Sequence, residues 1–196
     1  MTSLFSSRPV LLFIIVISMS GYNVLNNTLK QGRKFKHKLD DKVPFWPVFV
    51  YFYLVGYVAW FLLLIAYIFL FQPLVFVQQL TASIALASAI AYPFFLFFPT
   101  YVDSIYPTQK RVRHKLVRFL FKIDKPFNAF PSMHVYIATI LTIYSSLLFP
   151  QLTVLFVLFG VTIAASTVLT KRHYLYDIPG GIVVGVVSSA LALFLV

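Results

Sequence analysis

Two of the four histidines stand where residue type and spacing could support chemistry. His134 and His173 each lie at the junction of a long apolar run and a polar segment. His134 closes Asn128-Ala129-Phe130-Pro131-Ser132-Met133-His134. Pro131 suits a helix start, because a first-turn proline gives up no needed N–H. Ser132 and Met133 would then offer free backbone N–H groups at a helix N-terminus, a natural seat for a phosphate. The plain structural alternative is an ordinary Pro-Ser helix start with an incidental histidine.

The second cluster is Ser166, Lys171-Arg172-His173 and Asp177. His173 and Asp177 are four apart, so on a helix they would share a face and could hydrogen-bond. An aspartate partner fixes the imidazole tautomer and supports positive charge on the ring. The other ring nitrogen is then free to attack phosphorus. Lys171 and Arg172 supply positive charge for phosphoryl oxygens. Pro179, Gly180 and Gly181 allow close backbone approach. The structural alternative is an ion pair anchoring the last helix. His37 and His114 sit inside basic runs, where a solvated or headgroup-facing role is the simpler reading.

The elements that must position these groups are membrane helices. The chain is 60% hydrophobic and 11% charged over 196 residues. A soluble domain carries roughly a quarter charged residues. Six apolar segments can be drawn, at 9–25, 47–71, 73–98, 133–148, 152–169 and 178–196. Crossing a bilayer needs about 20 residues at 1.5 Å each, so 133–148 is the shortest candidate. Residues 1–196 are expected to form a single integral membrane domain, with the catalytic motifs within 128–181. The expected fold is all-α, a polytopic membrane protein of about six transmembrane helices in one bundle. The first apolar run is read as a membrane helix, because no clear signal-peptide cleavage site follows it. Aromatic residues crowd segment edges, as interfacial belts do. Ser83, Ala85, Ala87, Ser88 and Ala89 suit close helix packing.

The charge pattern supports six spans. Of the 16 Lys and Arg, all but Arg8 fall in the first, third and fifth connections. With six spans those three emerge on one face, the face that carries both motifs. The positive-inside rule assigns that face to the cytoplasm and both termini to the outside. The expected location is the cell (inner) membrane. The net charge of +11 then points to phospholipid headgroups and topology, with no nucleic-acid partner. There is no cysteine, which excludes disulfides and thiolate metal sites. All five acids are Asp, and only Asp177 lies in either motif, so a Mg²⁺ site built on clustered carboxylates is not expected. Neither is a cofactor.

Taken together, the two clusters resemble the type-2 phosphatidic acid phosphatase superfamily of membrane lipid phosphatases and phosphotransferases. That family has a Pro-Ser-x-His motif and a later Ser-Arg-x5-His-x3-Asp motif. Pro131-Ser132-Met133-His134 matches the first, with Met where Gly is usual. Ser166, His173 and Asp177 match the second at the right spacing, with Thr167 in the place of Arg. The form from Thr170 to Asp177 resembles the branch that includes inositol phosphotransferases and sphingolipid-synthase-like proteins, as does Pro44-Phe45-Trp46-Pro47 after Asp40-Asp41. In that branch Lys171 would replace the missing Arg. The earlier Lys-x6-Arg-Pro motif has no match. After Phe98-Pro99-Thr100 the chain reads Tyr101-Val102-Asp103-Ser104-Ile105-Tyr106-Pro107, and Lys125-Pro126 is the nearest substitute. The resemblance covers roughly 98–181.

The resemblance implies a metal-independent, covalent phosphohistidine mechanism on a phosphorylated lipid. His173 would be the nucleophile and Asp177 its orienting partner. His134 would protonate the leaving alcohol and then deprotonate the incoming water or acceptor. Lys171, Arg172, Ser132, Met133 and Ser166 would form the phosphate-binding set. The histidines need different protonation states, which implies a bell-shaped pH profile. Hydrolysis of a lipid phosphate or diphosphate is the leading reading. Transfer of a phospho-headgroup to another alcohol uses the same chemistry, and a catalytically inactive lipid-binding or transport protein is the reading from another class. Oligomeric state is left open.

Overall fold

Among the residues that the computed structural model describes, 7–28, 31–103 and 112–196, the chain forms seven α-helices. The sequence expectations for Lys30, for 104–111 and for the side chains of Arg113 and His114 lie outside that description. Helix α1 spans Arg8–Thr28. A π-helical stretch, Tyr51–Gly56, runs into α2, Tyr57–Phe71. Then come α3 (Leu74–Phe97), α4 (Val112–Ile123), α5 (Met133–Leu148), α6 (Thr153–Leu169) and α7 (Asp177–Leu195).

Five of the helical segments are long and apolar enough to cross a membrane, and α5 is a shorter apolar helix. The protein is an all-α polytopic membrane protein. At 16 residues α5 is about 24 Å long, less than a bilayer core. Its surroundings account for this. From Met133 to Leu141 nearly every residue is buried, so α5 is enclosed by other helices and meets little lipid. The outward faces of the others carry exposed Leu62, Leu63, Leu70, Val154, Leu158 and Val183. In water such a surface would be a liability. In lipid it is the solvated surface.

The pairings are α1 on α3, α3 on α7, and α5 against both α6 and α7. The α5–α7 contact is close because α7 turns two glycines toward α5. A Cβ on Gly181 would lie 2.8 Å from the Ser132 carbonyl oxygen, and one on Gly185 would lie 2.8 Å from that of Tyr136. This four-residue spacing of small residues is the usual device for bringing helix backbones together in lipid. It sets the distance between the helix that carries His134 and the helix that begins at Asp177.

The three charged connections meet at one end of the bundle. The Arg33 N–H donates to the Pro99 carbonyl at 2.8 Å, and the Tyr101 N–H returns to the Arg33 carbonyl. The Trp46 N–H donates to the Leu169 carbonyl at 2.9 Å. At the opposite end the Arg8 guanidinium holds the α2 C-terminus, bonding the carbonyls of Phe69 and Gln72. Among the described residues, these contacts put the first, third and fifth connections at one end and Arg8 at the other, the division the charge pattern implies.

One element differs from the sequence reading. The third connection contains α4, where the apolar segments alone imply a loop. Leu116, Val117, Leu120 and Phe121 fall at helical spacing amid basic residues. Val117, Leu120 and Phe121 pack against Val50 and Tyr53. This period was legible, but its charge disguised it.

Candidate active site

The site is assembled where loops meet helix ends at one end of the bundle. Helix α6 ends in a six-to-one turn. The Arg172 N–H donates to the Thr167 carbonyl at 2.9 Å and the Lys171 N–H to the Val168 carbonyl at 3.0 Å. This is the Schellman arrangement, which needs a left-handed residue just past the helix. Lys171 takes that role with φ 58°, a position glycine would fill more comfortably. The turn throws Arg172 and His173 inward, where both are buried.

His173 therefore sits in a loop, not on the helix that the four-residue spacing suggested. The pairing survives by another route, because Asp177 is the first residue of α7. His173 Nδ1 lies 3.2 Å from Asp177 Oδ2 and 3.0 Å from the Ala129 carbonyl oxygen. Both partners can only accept, so Nδ1 carries the proton. The same carboxylate oxygen accepts the Tyr174 N–H at 2.8 Å. In the neutral ring His173 Nε2 is then the lone-pair nitrogen, and the Ser132 hydroxyl, 3.2 Å away, is the donor to it.

Ser132 is the N-cap of α5, accepting the Val135 N–H, so the helix begins at Met133 and not at Pro131. Its own N–H is taken by the Asp177 carbonyl at 3.3 Å. The expected free donor at Ser132 is thus replaced by a first turn that starts with Met133 and His134. The cap places His134 in that turn, its ring centroid 5.9 Å from that of His173. The two sequence clusters, about forty residues apart in the chain, converge on one site.

Three expected phosphate ligands are otherwise engaged here. Lys171 Nζ donates to the Val43 carbonyl at 2.6 Å and to that of Asp40 at 3.2 Å. Burial lowers its pKa, while Asp40 and Asp41 oppose the shift. The Ser166 hydroxyl donates to the Ile163 carbonyl within its own helix. Arg172 Nε lies 3.3 Å from Asp124 Oδ2, with the guanidinium over the Phe121 ring and bonded to the Asp124 carbonyl.

Asp124, Tyr53 and Asp40 were not anticipated at the site. Asp124 follows α4, and its carboxylate receives the Tyr53 hydroxyl at 2.7 Å, Asn26 Nδ2 at 3.0 Å and the Tyr22 hydroxyl at 3.2 Å. Burial raises its pKa, but Arg172, His134, the Tyr53 hydrogen bond and His173 together hold it below the usual carboxylate range. Tyr53 Oη in turn lies 3.1 Å from His134 Nδ1. Asp40 accepts the N–H groups of His37 and Leu175, tying the first connection over the turn before α7. Read along the chain, Asp40 and Asp124 stand among basic residues. Only folding brings Asp124 to Tyr53 of the second apolar segment.

One cavity is lined by His173, and a second lies nearby without touching either histidine. A polar one of about 180 Å³ is lined by His173, Lys171, Lys36, Asp41, Asp103 and Tyr174, among others. An apolar one of about 480 Å³ lies between α3 and α7, bounded by Phe35, Phe94, Phe130, Pro131, Tyr176 and Val183. Its wall includes Pro131, next to Ser132, and Tyr176, next to Asp177.

The fold and this site define a class: a polytopic helical membrane protein with paired imidazoles at one end of its bundle. The chain belongs to the PAP2 superfamily, whose family model matches residues 33–191. That membership supports a phosphatase-type function on phosphate-bearing, lipid-related substrates. No curated protein and no solved structure gave a significant match to the chain.

Proposed function

We propose that the protein is a metal-independent lipid phosphatase that works through a phosphohistidine. The observation that carries this reading is the setting of His173: Nδ1 within hydrogen-bond reach of Asp177 and the Ala129 carbonyl, which leaves Nε2 turned to a helix N-terminus. In the first step Nε2 bonds to phosphorus and the bond to the lipid oxygen breaks, with His134 in its imidazolium form giving that oxygen its Nε2 proton. In the second, water attacks phosphorus, His134 takes its proton, and the P–N bond breaks to release phosphate. Dividing one displacement in two lowers each barrier. Asp177 stabilises the charge that the ring acquires. The first-turn N–H groups of α5 and the Ser132 hydroxyl are placed to hold phosphoryl oxygens. The apolar cavity beside Pro131 suits the chains of a lipid substrate.

Transfer to an alcohol is a second reading, favoured by one observation. The polar cavity beside His173 also carries Asp41 and Asp103, carboxylates that suit an acceptor's hydroxyl groups better than a second phosphate. One experiment addresses both. The purified protein in detergent is given phosphatidic acid and a lipid diphosphate, with excess EDTA, with and without candidate alcohols. Released inorganic phosphate that persists in EDTA is expected. Loss on chelation with recovery on adding Mg²⁺ overturns the mechanism. A phospho-alcohol product would favour transfer, and no turnover of either lipid would favour an inactive lipid-binding homologue.

We also propose that the loop-bearing end faces the cytoplasm of the cell (inner) membrane, because the basic residues of the first connection lie far in sequence from both motifs. A single cysteine introduced as Lys36→Cys should be shielded from an impermeant thiol reagent in intact cells, and Gln151→Cys should be labelled. The reverse pattern inverts the orientation.

A further inference from the structure

His134 does not stand alone in its pocket. Its Nδ1 faces Tyr53 Oη at 3.1 Å, and Tyr53 Oη lies 2.7 Å from Asp124 Oδ2. A phenol has one proton to give. The Asp124 carboxylate is ionised beside Arg172 and only accepts, so the Tyr53 proton goes to Asp124 and Tyr53 must accept from His134. We infer that Asp124 and Tyr53 form a hydrogen-bonded relay that holds His134 in its Nδ1–H tautomer and leaves Nε2 to exchange the proton with the leaving group. Both are positioning residues, acting through His134. The inference rests on the acid–base role given to His134 above.

The surroundings are built for this. Tyr53 belongs to the π-helical Tyr51–Gly56 stretch, an irregularity often found at functional sites. Its ring lies 4.4 Å from that of His134, with Tyr57 at 5.2 Å and Tyr22 edge-on at 6.4 Å. These rings from α1, the π-helical stretch and the start of α2 hold the imidazole in place. The groups around it that can carry charge are Asp124, Arg172 and His173. Asp124 is the anion among them placed to stabilise His134 once it is protonated, since Asp177 is engaged by His173. A purely structural Asp124 would need only Arg172 and the α1 donors. The link through Tyr53 to a ring nitrogen adds nothing to that ion pair but does orient a histidine.

The test separates proton transfer from structure by leaving group. Purified wild type, Tyr53→Phe, Asp124→Asn and His134→Ala are assayed on phosphatidic acid, whose alkoxide needs a proton, and on 4-nitrophenyl phosphate, whose phenolate does not. Tyr53→Phe should lose about 10- to 100-fold on phosphatidic acid, part of what general acid–base help supplies. It should lose little on the nitrophenyl ester. Asp124→Asn should follow the same pattern, and His134→Ala should show it more strongly. Equal losses on both probes by Tyr53→Phe, or no loss on either, overturn the relay. Tyr53→Phe removes only a hydroxyl, so the test does not hang on whether Asp124→Asn folds. Nitrogen-15 NMR of labelled protein, with the His134 signals identified by their absence in His134→Gln, decides the tautomer independently. Wild type should show Nδ1–H, and Tyr53→Phe should lose that preference. A wild-type ring whose Nδ1 carries no proton, or an Nδ1–H signal unchanged in Tyr53→Phe, sinks the relay. If wild type turns over neither probe, the phosphatase reading fails, and the nitrogen signals still decide the hydrogen-bond chain.

Discussion

His173→Ala is expected to reduce turnover by roughly 10⁴-fold or more, the scale of loss when a catalytic nucleophile is removed. The protein should remain folded. His173 lies in the turn between α6 and α7, outside the helix–helix contacts, and Asp177 keeps the Tyr174 N–H at 2.8 Å when the imidazole is gone. The structural cost is that of a few hydrogen bonds, about 1–3 kcal/mol. Activity on phosphatidic acid and the detergent-solubilised unfolding profile check both halves. Wild type should also yield an acid-labile phosphoenzyme that the variant lacks. Near-normal turnover in a folded His173→Ala protein would exclude the covalent mechanism.

Arg172→Met is expected to destabilise the fold more than any single change at the histidines. The Arg172 and Asp124 side chains are 1% and 11% exposed. Removing the cation strands a buried carboxylate, a loss of about 3–5 kcal/mol when one partner of a buried pair is deleted. Thermal unfolding in detergent measures it. Asp124→Asn on the Arg172→Met background should regain part of the loss, because it takes away the stranded charge. The pH dependence has a definite sign. Asp124 is held below the usual carboxylate range in the fold, chiefly by Arg172 working against burial. Its contribution to stability is complete above its unfolded pKa of about 4 and is lost as pH falls through its lowered folded value. Wild type should therefore lose stability in acid more steeply than the double variant. Equal stability of wild type and Arg172→Met would show the pair to be dispensable.

Much of this molecule could be read from residue order alone. Apolar runs report spans because lipid leaves a backbone no partner but itself, and five of the six drawn segments stand as long helices. The basic residues of the first, third and fifth connections sorted the ends of the bundle, and the bonds from Arg33 to Pro99 and from Trp46 to Leu169 join those connections. His134, His173 and Asp177 stood out by type and spacing, and the fold brings them together.

Residue order could not show how each group is used. Spacing suggested a helical His173–Asp177 pair, whereas a left-handed Lys171 turns the chain so that loop and helix start meet. Ser132 was expected to offer its N–H, and instead it offers its hydroxyl to His173. Arg172 was expected to meet phosphate and is paired with Asp124. The tyrosines that reach Asp124 come from the first two apolar segments, where a hydroxyl looks like any membrane-helix tyrosine. The physical reason is one of range. Span length, charge side and local motifs depend on neighbours along the chain or on the solvent. Hydrogen-bond partners and burial depend on groups up to about a hundred residues away, as between Tyr22 and Asp124, and tertiary structure alone decided which of them meet.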